Sequence, residues 1–332
     1  MSQPGVTMVI PTYNGAARVE APLQALLAQQ AASEHFEVVV VDNNSTDGTA
    51  RVVEGSAAVA GLRERGVDVR VVHEARQGLL FARLCGVLSA RRDVVCFLDD
   101  DNVPEPNFVR DGLAQFEVPG LGVVISRLYP RYEVPPPASI SRREHLLAIN
   151  HRLGDARIDF GAEATLAPTI GAGLWLRREA FLEAVPWRTP EQLMPDRLGK
   201  RLLSGGDIEL GYLLGKAGYH RVYAPGLKVW HLIPRARFET RYFLRLIVGV
   251  VRSEKTLEAR YLGRRPNWLT WLKGCARLVG AGLASPALAL RGDFAREVLF
   301  VLASRWAQLQ GPYPDIQGRP PPQAFHAPTQ LE

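Results

Sequence analysis

Three consecutive carboxylates, Asp99-Asp100-Asp101, followed by Asn102, close the apolar run at residues 94–98. Side by side at the end of a buried strand, such groups repel one another unless a cation or protons compensate them. Hard oxygen donors at this spacing suit a magnesium or manganese ion, which completes its shell with water and a substrate's phosphates. Taken alone, Asp101-Asn102 ahead of Pro104 also reads as turn chemistry. Two further polar clusters end apolar runs in the same way. Pro11-Thr12-Tyr13-Asn14 follows residues 7–10, and Asp42-Asn43-Asn44-Ser45-Thr46-Asp47-Gly48-Thr49 follows residues 37–41. Their hydroxyls, amides and carboxylates suit a nucleotide bound beyond strand ends. Each cluster by itself is a common turn; together, at successive ends of one sheet, they make a site.

The elements that must hold these clusters alternate in period. Strands are predicted at 7–10, 37–41, 69–73 and 94–98. Val19, Leu23, Leu26 and Leu27 recur at helical spacing, with Pro22 tolerated near the helix start. Asp47 is predicted to cap a second helix through Val59, and Gly78 to open a third to Ala90. This β-α-β-α-β-α-β rhythm is that of an α/β, Rossmann-like, mainly parallel sheet flanked by helices, whose ligands lie past the carboxyl ends of the strands. Beyond Pro106 the spacing predicts a helix to Phe116, a strand at 123–128, a helix-free loop through Val134-Pro135-Pro136-Pro137, and a strand at 170–176. A helix at 178–184, a second at 207–217 stopped by Gly218, and a short strand at 222–223 complete this part.

In their order, the segments IPTYN, VVVDNNSTDGT, QGLLFARLCG, FLDDDNVPEPNFV, GAGLWLRREAF and GGDIELGYLLGKAGY resemble family 2 glycosyltransferases of the GT-A fold, inverting enzymes that use nucleotide-activated sugars. The resemblance runs from Val6 to Arg235. It implies a nucleotide-sugar site formed by Pro11, Thr12, Tyr13, Asn14, Asp42, Arg83, Asp99 and Asp100. Thr12 and Asn14 would lie against the nucleoside, Asp42 would bond the base, and Arg83 would stand beside Asp42. Asp99 and Asp101 match the DxD motif, with Asp101 a ligand of Mn2+ or Mg2+ and Asp99 holding the ribose or ligating through water. His231 matches a histidine that completes the metal shell. Leu84 stands where the family often carries Asn, and Gly206 where it usually carries Glu ahead of an Asp.

That following acid, Asp207, is the candidate general base, removing the acceptor hydroxyl's proton on the face opposite the leaving diphosphate. It follows Gly205-Gly206, which let the backbone approach a ligand, and begins a helix whose amino terminus favours a carboxylate. Glu209, on the next turn, is a rival base. Arg235 and Arg237 are suited to clamp a diphosphate, Trp175 and Trp187 to stack on sugar rings, and residues 129–137 and 187–200 to wall an acceptor. The implied reaction moves a sugar, with a UDP-sugar as the expected donor, to a glycan or lipid-linked acceptor in polysaccharide or glycoconjugate biosynthesis.

Residues 1–105 are accordingly read as the nucleotide-sugar-binding half and 106–234 as the acceptor and catalytic half of one GT-A domain. Residues 235–310 form a basic helical extension, and 311–332 a proline-rich, extended tail. Segment 235–310 carries 14 Lys and Arg against 5 Asp and Glu, although the whole chain is only +6. With Trp268 and Trp271, that charge suits an anionic membrane surface; a helix packed on the catalytic domain is the other reading. The net charge does not demand nucleic acid. Cys85, Cys96 and Cys275 lack metal-ligand spacing, and no signal-like start or apolar run of about 20 residues is present. The expected location is the cytoplasm, peripheral to the inner face of the cytoplasmic membrane.

Two rival classes remain. Asp99-Asp100-Asp101-Asn102-Val103 also fits the DxDx[TV] motif of haloacid-dehalogenase-like phosphatases, in which Asp99 would be the nucleophile and Asp101 the acid/base. That motif normally opens its domain, and Asp42 would then go unexplained. Gly206 keeps open a catalytically silent nucleotide-sugar-binding protein. A nicotinamide dehydrogenase would need a GxGxxG turn, and a processive membrane synthase a QxxRW segment; neither occurs.

Overall fold

The four early apolar runs become parallel strands in the computed structural model, which describes residues 3–196, 202–264, 272–273, 276 and 294–317. They are β1 (Gln3–Thr12), β2 (Phe36–Asp42), β3 (Val69–His73) and β4 (Arg92–Phe97). Every residue of β2 is buried, as a valine-rich strand covered on both faces requires. The connecting helices are α1 (Glu20–Leu27), α2 (Thr49–Glu54), α3 (Ala57–Glu64) and α4 (Leu79–Ser89). Side chains alternate across the sheet, so Met8, Ile10, Val38 and Val40 pack with Leu23, Leu26 and Leu62, while Val9, Val39 and Val41 pack with Ala82 and Val87 of α4. Pairing sets Thr12 beside Asp42 and Asp42 beside His73, which levels the strand ends along one rim. The helix predicted from Asp47 to Val59 is two helices. Gly55 ends α2, and the Ser56 hydroxyl starts α3 by accepting from the Ala58 and Val59 amides at 3.1 and 3.3 Å.

The second half widens the same sheet with β5 (Asn102–Pro104), β6 (Leu121–Tyr132), β7 (Ile158–Asp159), β8 (Leu174–Arg177) and β9 (His220–Ile233). The strand order is β3-β2-β1-β4-β8-β6-β9-β5, with β7 pairing β9. β8 is antiparallel to β4 and β6, and β6 is parallel to β9. Between them lie α5 (Phe108–Gln115), α6 (Ala138–Ser141), α7 (Arg178–Ala184) and α8 (Gly206–Lys216). β9 is far longer than the two residues predicted. Pro225-Gly226 reads as a strand end, but the ladder only skips there and resumes with Arg127 opposite Lys228, a bulge that re-aims the rest of the strand. β8 is shorter than predicted, because Gly173 takes φ 64° and its amide binds the Phe97 carbonyl.

After β9 come α9 (Thr240–Tyr261), α10 (Phe294–Gln310) and α11 (Pro314–Gln317). α9 lays Phe243, Leu246 and Ile247 on Ile140 and Leu147, and the rings of Phe243 and Phe300 stand 4.8 Å apart. Glu297 of α10 pairs with Arg142 and, at 2.8 Å, with Arg143. Burial opposes the Glu297 charge, but the two arginines outweigh it and hold the carboxyl below its ordinary range. These helices therefore pack on the domain built around the sheet. The predicted tail does not start extended: Tyr313 and Ile316 are buried in a cluster with Leu257, and Arg252 lies 3.9 Å over the Tyr313 ring. Trp268, Trp271 and residues 318–332 lie outside the described residues. Among the described residues, no helix is long and apolar enough to cross a membrane.

Candidate active site

A cleft of about 610 Å³ opens along the rim of strand ends, lined by Pro11, Thr12, Tyr13, Arg18, Asp99, Asp100, Asp101, His231 and Arg237 among others. Asp100 spends both oxygens inside the protein. It accepts from the Thr12 hydroxyl at 2.6 Å and from Arg18 at 3.0 and 2.9 Å, tying β1 to the end of β4. A Cβ on Gly15 would fall on that junction. Asn14, at φ 47°, turns its Oδ1 to the Thr46 amide at 2.8 Å and joins two rim loops. Asp42 accepts from the Ser45 amide at 3.1 Å, and His73 Nδ1 is 3.8 Å from its Oδ2. Asn43 is a residue that the sequence did not single out. Its amide binds the carbonyls of Glu74 and Arg76 while its oxygen accepts from the Gly78 amide at 2.7 Å, which fixes where α4 begins.

Asp101 and His231 meet because β5 pairs with β9: Asn102 lies opposite His231, and the Leu232 amide donates to the Asp101 carbonyl at 2.8 Å. Asp101 Oδ2 is 3.3 Å from His231 Nε2 and 3.5 Å from Arg237 Nη2. Burial opposes the Asp101 charge, but His231 and Arg237 outweigh it and hold the carboxyl below the usual range. Two donors bound to one octahedral cation at about 2.1 Å each stand roughly 3.0 Å apart. The Asp101–His231 separation of 3.3 Å fits such a pair. Among the described residues, no three or more His, Cys, Asp or Glu converge on one point, so a cation here would draw further ligands from water and phosphate.

Arg83 does not stand beside Asp42. It points from α4 toward the second half of the chain, pairing with Asp207, with Asp99 at 3.5 Å and with Asp196 at 3.8 Å. Burial lowers its affinity for a proton, but the three carboxylates more than offset this and keep it firmly charged. Asp99 is affected the other way. Its burial, only partly countered by Arg83, raises its carboxyl above the ordinary value. Leu84, one residue on, is buried in the core.

A second cleft, of about 440 Å³, adjoins the first at Leu79, Asp99 and Ala148. Asp207 lines it from the start of α8, with Oδ1 on Arg83 and Oδ2 accepting from the Gly171 amide at 2.7 Å. A Cβ on Gly171 would fall on the tips of Arg83 and Asp207, so any side chain here would displace that pair. Glu209 faces away. It is buried against Arg260 at 2.8 Å and the Tyr261 hydroxyl at 2.6 Å, where it bolts α8 to α9, and burial raises its carboxyl. Trp175 is fully buried beside Phe108, and Trp187 donates to the Leu182 carbonyl; neither lines either of these two clefts, so neither is placed to stack on a sugar there. Residues 129–137 do not wall the second cleft, and of the described part of 187–200 only Asp196 does. Arg237 reaches the first cleft, whereas Arg235 does not.

The fold is of GT-A architecture. The family model described as Glycosyl transferase family 2 matches residues 7–184, and the chain belongs to that family. Glycosyltransferase AglE of Haloferax volcanii is 24% identical over 222 residues, 67% of this chain and 64% of that protein. Validoxylamine A glucosyltransferase of Streptomyces hygroscopicus subsp. jinggangensis is 30% identical over 234 residues, 65% of this chain and 52% of that protein. Each match thus spans less than two thirds of the relative's length. Among solved structures, the mannosyltransferase PcManGT from Pyrobaculum calidifontis, in complex with GDP-Man and Mn2+, has a TM-score of 0.61 at 19% identity, covering 93% of this chain and 88% of that one. S. aureus TarS 1-349 in complex with UDP-GlcNAc has a TM-score of 0.52 at 14% identity, covering 92% and 90%. These two likenesses concern the fold. Family membership leaves the phosphatase reading without support.

Proposed function

We propose that the chain transfers a sugar, with inversion at the anomeric carbon, from a nucleoside diphosphate sugar to a hydroxyl of a glycan or lipid-linked acceptor. The observation that carries this reading is the meeting of two clefts at Asp99, with the Asp101–His231 pair in one and Asp207 in the other. The first cleft takes the donor, its nucleoside toward Pro11, Tyr13, Asn14 and Asp42, its ribose toward Asp99 and its diphosphate toward Arg237. Asp101 and His231 would hold Mn2+ or Mg2+, with Asp99 able to join through water; such an ion neutralises the charge of a leaving diphosphate.

Asp207 takes the proton of the acceptor hydroxyl as that oxygen bonds to the anomeric carbon. The bond from this carbon to the diphosphate breaks, and its electron pair leaves with the diphosphate. A weak base suffices because the hydroxyl becomes acidic only as the new bond forms. Arg83 and the Gly171 amide aim the carboxylate. UDP is the nucleotide we expect. We place the reaction in polysaccharide or glycoconjugate biosynthesis at the cytoplasmic side of a membrane, a reading supported by the basic charge of residues 235–310.

The test is incubation with Mn2+, hydroxyl acceptors and a panel of UDP-, GDP- and dTDP-sugars, with a phosphomonoester in parallel. Release of a nucleoside diphosphate, and a product whose anomeric configuration by NMR is opposite to the donor's, is the expected result. Retained configuration, or release of inorganic phosphate from the monoester alone, would overturn the reading.

A further inference from the structure

Asp196 belongs to no motif, yet it is buried and lies within the wall of the second cleft. It sits at the start of α8 without being part of that helix. Its Oδ1 accepts from the Gly206 amide at 3.1 Å, and its Oδ2 is 3.8 Å from Arg83 Nη1. The loop that delivers it is pinned two residues earlier, where the Met194 amide donates to Glu209. A Cβ built on Gly206 would fall on the Asp196 carboxylate. Position 206 therefore lacks a side chain in the place where a carboxylate from another part of the chain already stands.

One buried cation, Arg83, thus faces three acids: Asp99, Asp196 and Asp207. We propose that Asp196 is a positioning residue for the transfer, holding Arg83 and the first turn of α8 so that Asp207 keeps its aim. The inference rests on the reading of Asp207 as the base. With Asp196 uncharged, the guanidinium has one competitor fewer and settles more fully on Asp207, turning the oxygen that must accept the proton away from the acceptor. Asp196 itself takes no proton in the reaction.

The test uses the full chain and whichever donor the nucleotide-sugar panel identifies. Asp196→Asn keeps the size and can still accept from the Gly206 amide, so it should fold. It should lower kcat by roughly ten- to hundredfold, as members of one charge network do, with donor KM changed by less than about twofold. Asp196→Ala should be at least as slow. In that background, Gly206→Asp returns a carboxylate to nearly the same volume and should recover most of the rate, whereas the isosteric Gly206→Asn should not. Full turnover in Asp196→Asn, no recovery with Gly206→Asp, or equal recovery with Gly206→Asn would each overturn the role of Asp196. An inactive wild-type chain would instead sink the functional reading.

Discussion

Asp207, the base proposed above, touches Arg83 directly, although a carboxylate that is to take a proton from an alcohol is poorly served by an arginine that neutralises it. Arg83 is shared with Asp99 and Asp196, so Asp207 does not hold it alone. Asp207→Asn preserves the shape and the contact with the Gly171 amide while removing the proton-accepting charge. The transfer rate should fall by about 10²–10⁴-fold, the usual range for such a base, while the nucleoside diphosphate binds with nearly unchanged affinity by calorimetry. Near-normal turnover would remove Asp207 from the mechanism. Single residues were unevenly legible in the sequence. Asp101 and Asp207 stand out because they follow a strand and open a helix, where spacing alone flags them. Asp196 does not, since a lone acid between Pro195 and Arg197 has no periodic context, and Gly171 acts through a backbone amide that no side-chain pattern encodes. Arg83 was visible as a basic residue but not by its partners, because which face of α4 meets α8 is settled by tertiary packing.

At the level of elements, α10 is held to the sheet domain by its packing and by Glu297 between Arg142 and Arg143. Because the folded protein holds this carboxyl below its ordinary value of about 4.3, the pair's contribution is fully present above that value. It is lost as the pH falls through the depressed folded value. Glu297→Gln should cost about 1–3 kcal/mol at pH 7, at the lower end because Arg142 is 40% exposed. In thermal melts, the gap between wild type and variant should then close toward pH 3; a gap that stays constant would assign the docking to apolar contact alone. The parallel half of the sheet was legible because its valine runs have the period of strands buried on both faces. β9 was not, because Pro225-Gly226 carries the signature of a turn while the chain bulges and continues. His231 thus had its residue type noticed before its strand.

For the whole molecule, donor binding and folding are linked, since a ligand that binds only the folded chain stabilises it by about 2.7 kcal/mol at a hundredfold excess over Kd. The nucleotide of the true donor should raise the melting temperature strongly with Mn2+ and little without it. In Asp101→Ala the two curves should coincide; a manganese-dependent shift that survives there would move the cation elsewhere. The fold as a whole was the most legible level, because alternation of strand and helix fixes the architecture before any contact is known. The clefts were less so, since they lie between segments far apart in the chain. The ladder that sets Asn102 opposite His231 also has a temporal meaning. β9 is the last strand in the chain among the described residues, and contacts that close so long a loop form late. A nascent chain that has made its first four strands already carries Asp99, Asp100 and Asp101 but has no imidazole to face them. Asp100 can already hold Arg18, and Asp99 Arg83, whereas Asp101 gains its facing imidazole only when β9 joins the sheet.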